Sequence, residues 1–163
     1  MAEAGYVFEI VASEAEESNL IQSGLAELVE DNAWSKAHWV SERHPDAIVI
    51  GADTLVAIDG EALGKPADLE EATRMIRRLS GRTHEVCTGV AFCCADIDHS
   101  VRFHVVTEVT FKTLDKAGSY GAQEHGDDVI QRIEGSWSNV VGLPMDELKL
   151  CYEEFQLAAE EVK

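Results

Sequence analysis

Apolar residues recur in this chain at two spacings, which divide most of it into predicted helices and strands. Three stretches have the three- and four-residue spacing of an amphipathic helix. They are Leu25 to about His44, which Pro45 ends; the stretch from Asp68, close to a capping box, to Gly81; and a final helix with Leu148, Cys151, Phe155 and Ala158 on one side.

The runs between these helices are rich in β-branched and aromatic residues, which is typical of strands. The predicted strands are Tyr6–Val11, the two arms of a hairpin within Ile48–Pro66, Val86–Ala95, Val101–Leu114 and Asp127–Glu134. The short polar connection Asp96–Ser100 predicts that its two strands pair antiparallel. Together the elements predict an α/β or α+β fold with a mixed sheet, and 163 residues fit a single domain spanning 1–163.

The stretch Ile48–Pro66 contains the strongest local signal. Asp59-Gly60 between apolar residues favours a two-residue hairpin turn, because a type I′ turn needs positive φ at both central positions. That turn would bring Lys65 back towards the strands that carry Asp53. We expect a strand break at Asp53, where the small Gly51 would let a ligand approach the backbone. The acid and the ammonium could then serve a polyphosphate and its metal, or Asp53 could simply cap the strand or pair with Lys65.

The negative net charge of the chain limits the classes of ligand that it can bind. The formal net charge is −18 and the sequence pI is about 4.5, which argue against nonspecific binding to nucleic acid or to an anionic membrane. A phosphate-bearing ligand must therefore meet a locally positive spot or bring a metal cation. No apolar run approaches the length of about 20 residues that a membrane span needs, and Met1–Ala4 lacks the basic start of a signal peptide.

The remaining chemistry is limited to carboxylates, a few lysines and glycine-rich loops. The four cysteines lack C-x-x-C spacing, so we expect buried thiols in a reducing, cytoplasmic setting. The phosphate-loop, dinucleotide, H-E-x-x-H and G-x-S-x-G motifs are absent, while Asp115–Gln123 suits a loop close to a ligand. Carboxylates, lysines and glycine-rich loops together suit metal-assisted attack of water on a phosphoanhydride. Judged by pattern alone, Lys36 beside the first helical stripe is a surface lysine rather than a ligand.

Six blocks of the sequence, in this order, resemble the Maf family. They are Gly51-Ala52-Asp53-Thr54; Gly64-Lys65-Pro66; Leu79-Ser80-Gly81-Arg82 with His84, Val86, Thr88 and Gly89; Thr107-Glu108-Val109-Thr110-Phe111; Asp115-Lys116-Ala117-Gly118-Ser119-Tyr120-Gly121; and Asn139-Val140-Val141-Gly142-Leu143-Pro144. The resemblance runs from about Tyr6 to Leu150. It implies a nucleoside triphosphate pyrophosphatase with an α/β fold, similar to inosine triphosphate pyrophosphatases, that uses a divalent metal, Mg²⁺ or Mn²⁺, and is commonly a homodimer.

The same resemblance assigns roles to individual residues. Asp53 matches the proton acceptor that orients the attacking water, and Glu17 would hold the metal together with Asp53. Lys36 and Lys65 match lysines that meet the phosphates. Thr54 and Gln123 are identified as specificity positions, which implies dTTP and UTP, with modified pyrimidine nucleotides as a further class of substrate.

The sequence departs from the family pattern in two places. It begins after the expected strand and its Ser-x-Ser-Pro-Arg-Arg loop, and Leu114 runs directly into Asp115 where relatives have a helical stretch. The first departure should expose a sheet edge, unless another chain or the amino-terminal residues cover it. Two hypotheses follow: a metal-dependent dTTP/UTP pyrophosphatase, or a degenerate relative, weak or inactive as a catalyst, that acts by binding nucleotide or protein.

Overall fold

The computed structural model describes residues 1, 5–18, 24–114 and 129–161. Its strands form a five-stranded sheet. The strands are β1 (Val49–Ile58), β2 (Glu61–Leu63), β3 (Thr83–Cys94), β4 (His99–Phe111) and β5 (Ile130–Glu134). The helices are α1 (Leu25–Ser41), α2 (Leu69–Leu79), α3 (Trp137–Val140) and α4 (Met145–Glu161), with a 3-10 turn at Ala95–Ile97. The order across the sheet is β2-β1-β3-β4-β5.

The predicted α/β class is confirmed, and the structure specifies how the strands run. Each strand pairing within the described ranges is antiparallel, so the parallel part of the expected mixed sheet is not found there. Short connections explain two of these four pairings, because antiparallel neighbours can be joined by a tight turn whereas parallel neighbours need a long crossover. Two residues join β1 to β2, and the 3-10 turn joins β3 to β4.

The predicted hairpin turn is confirmed at Asp59-Gly60. Both residues have positive φ, 58° and 77°, and Ile58 pairs directly with Glu61 across the turn. The start of α2 also follows the sequence signal, since the Asp68 side chain accepts a hydrogen bond from the Glu71 backbone N–H.

The expected strand break at Asp53 is wrong. β1 runs without interruption through this residue, which pairs with Gly89 of β3. The small residues instead let α1 approach the sheet: a Cβ on Gly51 would lie 2.3 Å from the Ala33 carbonyl oxygen, and one on Gly89 would lie 2.2 Å from that of Val29. The space that we expected a ligand to use at Gly51 is therefore filled by a helix.

The core lies on both faces of β3. On one face Ala91 and Cys93 pack against Ala33 and Ala37 of α1. On the other face five buried residues of β3 and α4 form the larger cluster, namely Val90, Phe92, Cys94, Leu148 and Phe155. Complete burial of such aliphatic and aromatic side chains stabilises by about 1.5–3 kcal/mol each. The sheet is thus fixed between α1 and α4, as the apolar stripes of these helices predict.

The predicted strand Tyr6–Val11 is also wrong. The segment has no ladder partner among the described residues, and Val7 and Ile10 are exposed. Its contacts are of another kind, since the Tyr6 ring packs edge-on against Tyr152 of α4 with centroids 5.6 Å apart. A strand needs a neighbour to satisfy its backbone groups, and β-propensity alone does not supply one.

The amino-terminal segment runs beside an open edge of β1. β2 pairs only with Val56–Ile58, so the edge of Val49–Leu55 that faces away from β3 has no strand partner in the described ranges. Val7, Phe8 and Val11 line a cavity there together with the first residues of β1. Amino-terminal residues thus lie along the sheet edge that we expected to be exposed.

Two predicted segments reach beyond the described residues. β5 covers the second part of the predicted strand Asp127–Glu134, whereas the loop Asp115–Gln123 falls outside the described ranges altogether. A search of the described helices finds none with the length and apolar character needed to cross a membrane.

Candidate functional site

Three parts of the chain contribute side chains to one polar cluster on the α1 side of the sheet. β1 supplies Asp53, α1 supplies Asn32 and Lys36, and the segment before α1 supplies Glu17. Asn32 and Lys36 are four residues apart, so both side chains leave the same face of the helix. The glycines of β1 and β3 set the close approach of that helix, which brings both side chains within hydrogen-bond distance of Asp53.

Lys36 is the centre of the cluster. Its Nζ lies 2.7 Å from Asp53 Oδ1 and 3.0 Å from Glu17 Oε1, and it also donates to the Ala52 carbonyl oxygen at 3.4 Å. Lys65 is at the rim, where its Nζ lies 3.9 Å from Glu17 Oε2. The exposed fraction of the side chain rises outwards, from 9% for Asp53 to 21% for Lys36, 37% for Glu17 and 93% for Lys65. The structure therefore brings four of the predicted site residues into one chain of contacts.

The contacts keep the central groups charged. Burial acts to lower the pKa of Lys36, but the hydrogen bonds that its ammonium donates to Asp53 and Glu17 outweigh this effect and leave the pKa raised. The hydrogen bond from Lys36 lowers the pKa of Glu17, against an opposing effect of burial. At neutral pH an ammonium thus stands between carboxylates, and that arrangement can orient a water molecule or a phosphate oxygen.

Asn32 is a member of the cluster that the sequence interpretation missed. Its Nδ2 donates to Asp53 Oδ2 at 3.0 Å, and its side chain also bonds the backbone of Ser18. A signal was present: Asn32 stands in the apolar stripe of α1 between Val29 and Ala33, four residues before Lys36. A buried amide at such a position must find polar partners.

Thr54 does not join this cluster. Successive residues of a strand point to opposite faces, so Thr54 lies on the other side of the sheet from Asp53. There its hydroxyl is 2.9 Å from that of Thr88, whose hydroxyl donates to the Asn139 carbonyl oxygen at 3.3 Å. Gln123 lies outside the described residues. The specificity roles of Thr54 and Gln123 stay predictions.

Thiol chemistry is disfavoured at the cysteines of the sheet. Burial raises the pKa of Cys87 and Cys93 to about 11, so little thiolate forms at neutral pH. Cys87, Cys93 and Cys94 are buried, as expected, whereas Cys151 is only half-buried. These sulfurs are structural, and the polar chemistry stays with the cluster around Lys36.

The donor set around Lys36 fits a hard divalent cation. No group of three or more His, Cys, Asp or Glu side chains forms a metal site within the described ranges. Mg²⁺, however, is usually bound by one or two carboxylates, with water and substrate phosphates as its other ligands. Glu17 and Asp53, which contact the same ammonium, could supply two such carboxylates.

A cavity of about 430 Å³ adjoins the cluster at Lys36. Its wall follows β1 from Val49 to Ala52, and the amino-terminal segment closes its far side with Phe8 and Val11. This volume lies within the range of small-molecule sites, about 300–1,000 Å³. A ligand of nucleotide size could thus reach the ammonium from the open edge of the sheet.

Comparison with known proteins gives a consistent result. The family model for Maf, a Maf-like protein, matches residues 1–116 and 109–155. Among curated relatives, a dTTP/UTP pyrophosphatase of Akkermansia muciniphila is 42% identical, covering 93% of this chain and 87% of the relative. Similar proteins with the same name are found in Bacillus anthracis (41% identical; 94% of this chain and 87% of the relative) and Bacillus cytotoxicus (42%; 96% and 88%).

Proposed function

The chain belongs to the Maf family, and from this premise we propose that it is a metal-dependent nucleoside triphosphate pyrophosphatase acting on dTTP and UTP. Relatives with the name dTTP/UTP pyrophosphatase, aligned over 93% or more of the chain, support the reaction and the substrate class. The contact of the Lys36 ammonium with both Asp53 and Glu17 carries the proposal, because it unites the groups that such a hydrolysis needs. Modified pyrimidine nucleotides are included as a further substrate class.

The proposed reaction is attack of water on the α-phosphorus. The water oxygen forms a bond to phosphorus, and the bond from phosphorus to the oxygen that bridges to the β-phosphate breaks. Its electron pair leaves with pyrophosphate, so that the nucleoside monophosphate remains. Asp53 orients the water and accepts its proton, a role open to a carboxylate held in place by its neighbours.

Lys36 acts on the substrate and on Asp53 at the same time. An ammonium has three donors, and the carboxylates of Asp53 and Glu17 take two of them. The third, weakly engaged by the Ala52 carbonyl oxygen at 3.4 Å, is the one that can turn to a phosphate oxygen. Lys65 at the rim adds a second, solvated positive charge for the outer phosphates.

A divalent cation is needed because these charges do not balance a triphosphate. The two carboxylates nearly cancel the two lysines, and the whole chain carries a net charge of −18. Mg²⁺ or Mn²⁺, held by Glu17 and Asp53 when bound, would supply charge neutralisation and polarise the phosphoryl oxygens. We also propose that the protein forms a homodimer and is located in the cytoplasm.

The proposal is tested by pyrophosphate release from a panel of nucleoside triphosphates with Mg²⁺ or Mn²⁺. We expect release from dTTP and UTP, and a loss of about 10²- to 10⁴-fold in Asp53→Asn, which keeps the shape of the side chain but not its basicity. Asp46→Asn, an exposed aspartate ahead of the same strand, is the matched control and should keep the wild-type rate. If no nucleotide gives release above that of Asp53→Asn, the chain is instead a degenerate relative that acts by binding.

A further inference from the structure

We propose that Asn32 is a positioning residue that holds the Asp53 carboxylate and the segment carrying Glu17 in one fixed arrangement. Its effect on catalysis rests on the function proposed above, whereas its structural role does not. The inference comes from a buried side-chain amide, 3% exposed, whose donors and acceptor meet two different parts of the site.

The contacts of Asn32 define its orientation. Nδ2 donates to Asp53 Oδ2 at 3.0 Å and to the Ser18 carbonyl oxygen at 3.0 Å, and Oδ1 accepts from the Ser18 backbone N–H at 2.9 Å. The two groups that Nδ2 contacts, the Asp53 carboxylate and the Ser18 carbonyl, are acceptors, whereas the Ser18 N–H that Oδ1 contacts is a donor. The reversed amide would lose all three bonds, so the hydrogen-bond pattern assigns a single orientation.

Asn32 and Lys36 together fix the plane of the Asp53 carboxylate. Lys36 holds Oδ1 at 2.7 Å and Asn32 holds Oδ2, each from the same face of α1. Each carboxylate oxygen has a second lone pair, which is then presented in a defined direction for a water molecule. A carboxylate held by one partner could rotate, whereas one held at both oxygens cannot do so without breaking a bond.

Asn32 also joins the amino-terminal segment to α1. Its paired bonds to Ser18 fix the backbone next to Glu17, whose carboxylate then lies 3.0 Å from Lys36. Most of the other described residues of this segment are exposed, and they make no strand pairing within the described ranges. A single side chain therefore links the placement of both carboxylates in the proposed site.

Two substitutions separate these roles. Asn32→Leu keeps the branched shape of the side chain and removes every bond, so we expect faster hydrogen exchange at the Ser18 amide and a fall of about tenfold in kcat with KM changed less than threefold. Asn32→Asp keeps an acceptor for the Ser18 N–H, but it loses the donor to the Ser18 carbonyl oxygen and places a like charge beside Asp53. It should preserve Ser18 protection and still lower kcat by tenfold or more.

Asn139→Leu is the matched control, because Asn139 is equally buried but bonds Val86 and Thr107 on the opposite face of the sheet. It should leave Ser18 exchange unchanged. A double-mutant cycle of unfolding midpoints with Asn32→Leu and Asp53→Ala tests the bond between the two side chains without any turnover. We expect non-additive midpoints, with the Asn32 substitution less damaging when Asp53 is absent.

The outcomes distinguish this proposal from the proposed function. Unchanged Ser18 exchange in Asn32→Leu together with additive midpoints would overturn the positioning role, and so would wild-type kcat in both folded Asn32 variants. A wild type without pyrophosphate release above Asp53→Asn would overturn only the proposed function. In that case altered Ser18 exchange and a non-additive cycle would still support Asn32 as the residue that unites the cluster.

Discussion

The charge state of Lys36 depends on where its ammonium lies. It is mostly buried, which alone would favour the neutral amine, yet Asp53 at 2.7 Å and Glu17 at 3.0 Å keep it protonated. Removing such a cation leaves a nearly buried carboxylate without its counter-charge. We expect the resulting loss of folding stability to lie between the small effect of breaking an exposed ion pair and the larger effect of breaking a buried one.

Lys36→Met should therefore destabilise the fold by about 1–3 kcal/mol at neutral pH while keeping the aliphatic packing. The pKa of Glu17 is lowered by folding, so its contribution is present above the ordinary value of 4.5 and is lost as pH falls through the lowered value. The pKa of Lys36 is raised, so its contribution is present below 10.5 and is lost as pH rises through the raised value. The difference in unfolding free energy between wild type and Lys36→Met should therefore be largest between pH 4.5 and pH 10.5, as measured by denaturant unfolding.

Lys149→Met, at an exposed position of α4, is the control for the loss of one surface ammonium and should change the free energy of unfolding at neutral pH by less than about 0.5 kcal/mol. A constant difference between wild type and Lys36→Met from pH 3 to pH 11 would contradict the ion-pair account. It would mean that the side chain stabilises through packing alone.

At the scale of elements, the closeness of α1 to the sheet positions the site. Gly51→Ala would place a methyl group 2.3 Å from the Ala33 carbonyl oxygen and 2.9 Å from the Ala37 nitrogen, both of them backbone atoms that cannot move alone. We expect a loss of about 3 kcal/mol or more in denaturant unfolding, because the whole helix must shift. Since that helix carries Lys36 and Asn32, activity should fall as well.

Gly64→Ala provides the comparison within the same hairpin, because a Cβ there meets nothing within 4 Å. Its unfolding free energy should stay within about 0.5 kcal/mol of wild type. Equal losses in the two variants would show that helix approach is not the reason for the glycine in β1.

The periodic parts of the fold could be predicted from the sequence, whereas their contacts could not. The stripes of α1 and α4 and the turn at Asp59-Gly60 follow from local physics, because spacing and backbone preference act on neighbouring residues. Gly51 allowed two interpretations, a ligand approach or a helix approach, and only the position of α1 decides between them. Tyr6–Val11 has the composition of a strand, but pairing depends on a partner that composition does not reveal.

The site could be predicted only in part, for a related reason. The resemblance to the Maf family named Asp53, Glu17, Lys36 and Lys65, and the structure joins them in one chain of contacts. The bonds of Asn32 depend on its depth under the amino-terminal segment, which residue spacing does not give.

At the scale of the whole molecule, the proposed reaction must take place on a chain with a net charge of −18. Such a field repels a triphosphate, and the two lysines of the cluster offset it only locally. A complex of the nucleotide with Mg²⁺ approaches with less negative charge, which is the physical reason for the proposed metal dependence. In the proposed reaction, water attacks the α-phosphorus within this one cluster.

Hydrolysis of dTTP in ¹⁸O-labelled water with Mg²⁺, followed by mass spectrometry of the products, tests that claim most directly. Attack of water at the α-phosphorus should place one ¹⁸O atom in dTMP and none in the pyrophosphate released with it, and both products should be lost in Asp53→Asn. Label in inorganic phosphate or in pyrophosphate would place the attack at another phosphorus and contradict the account.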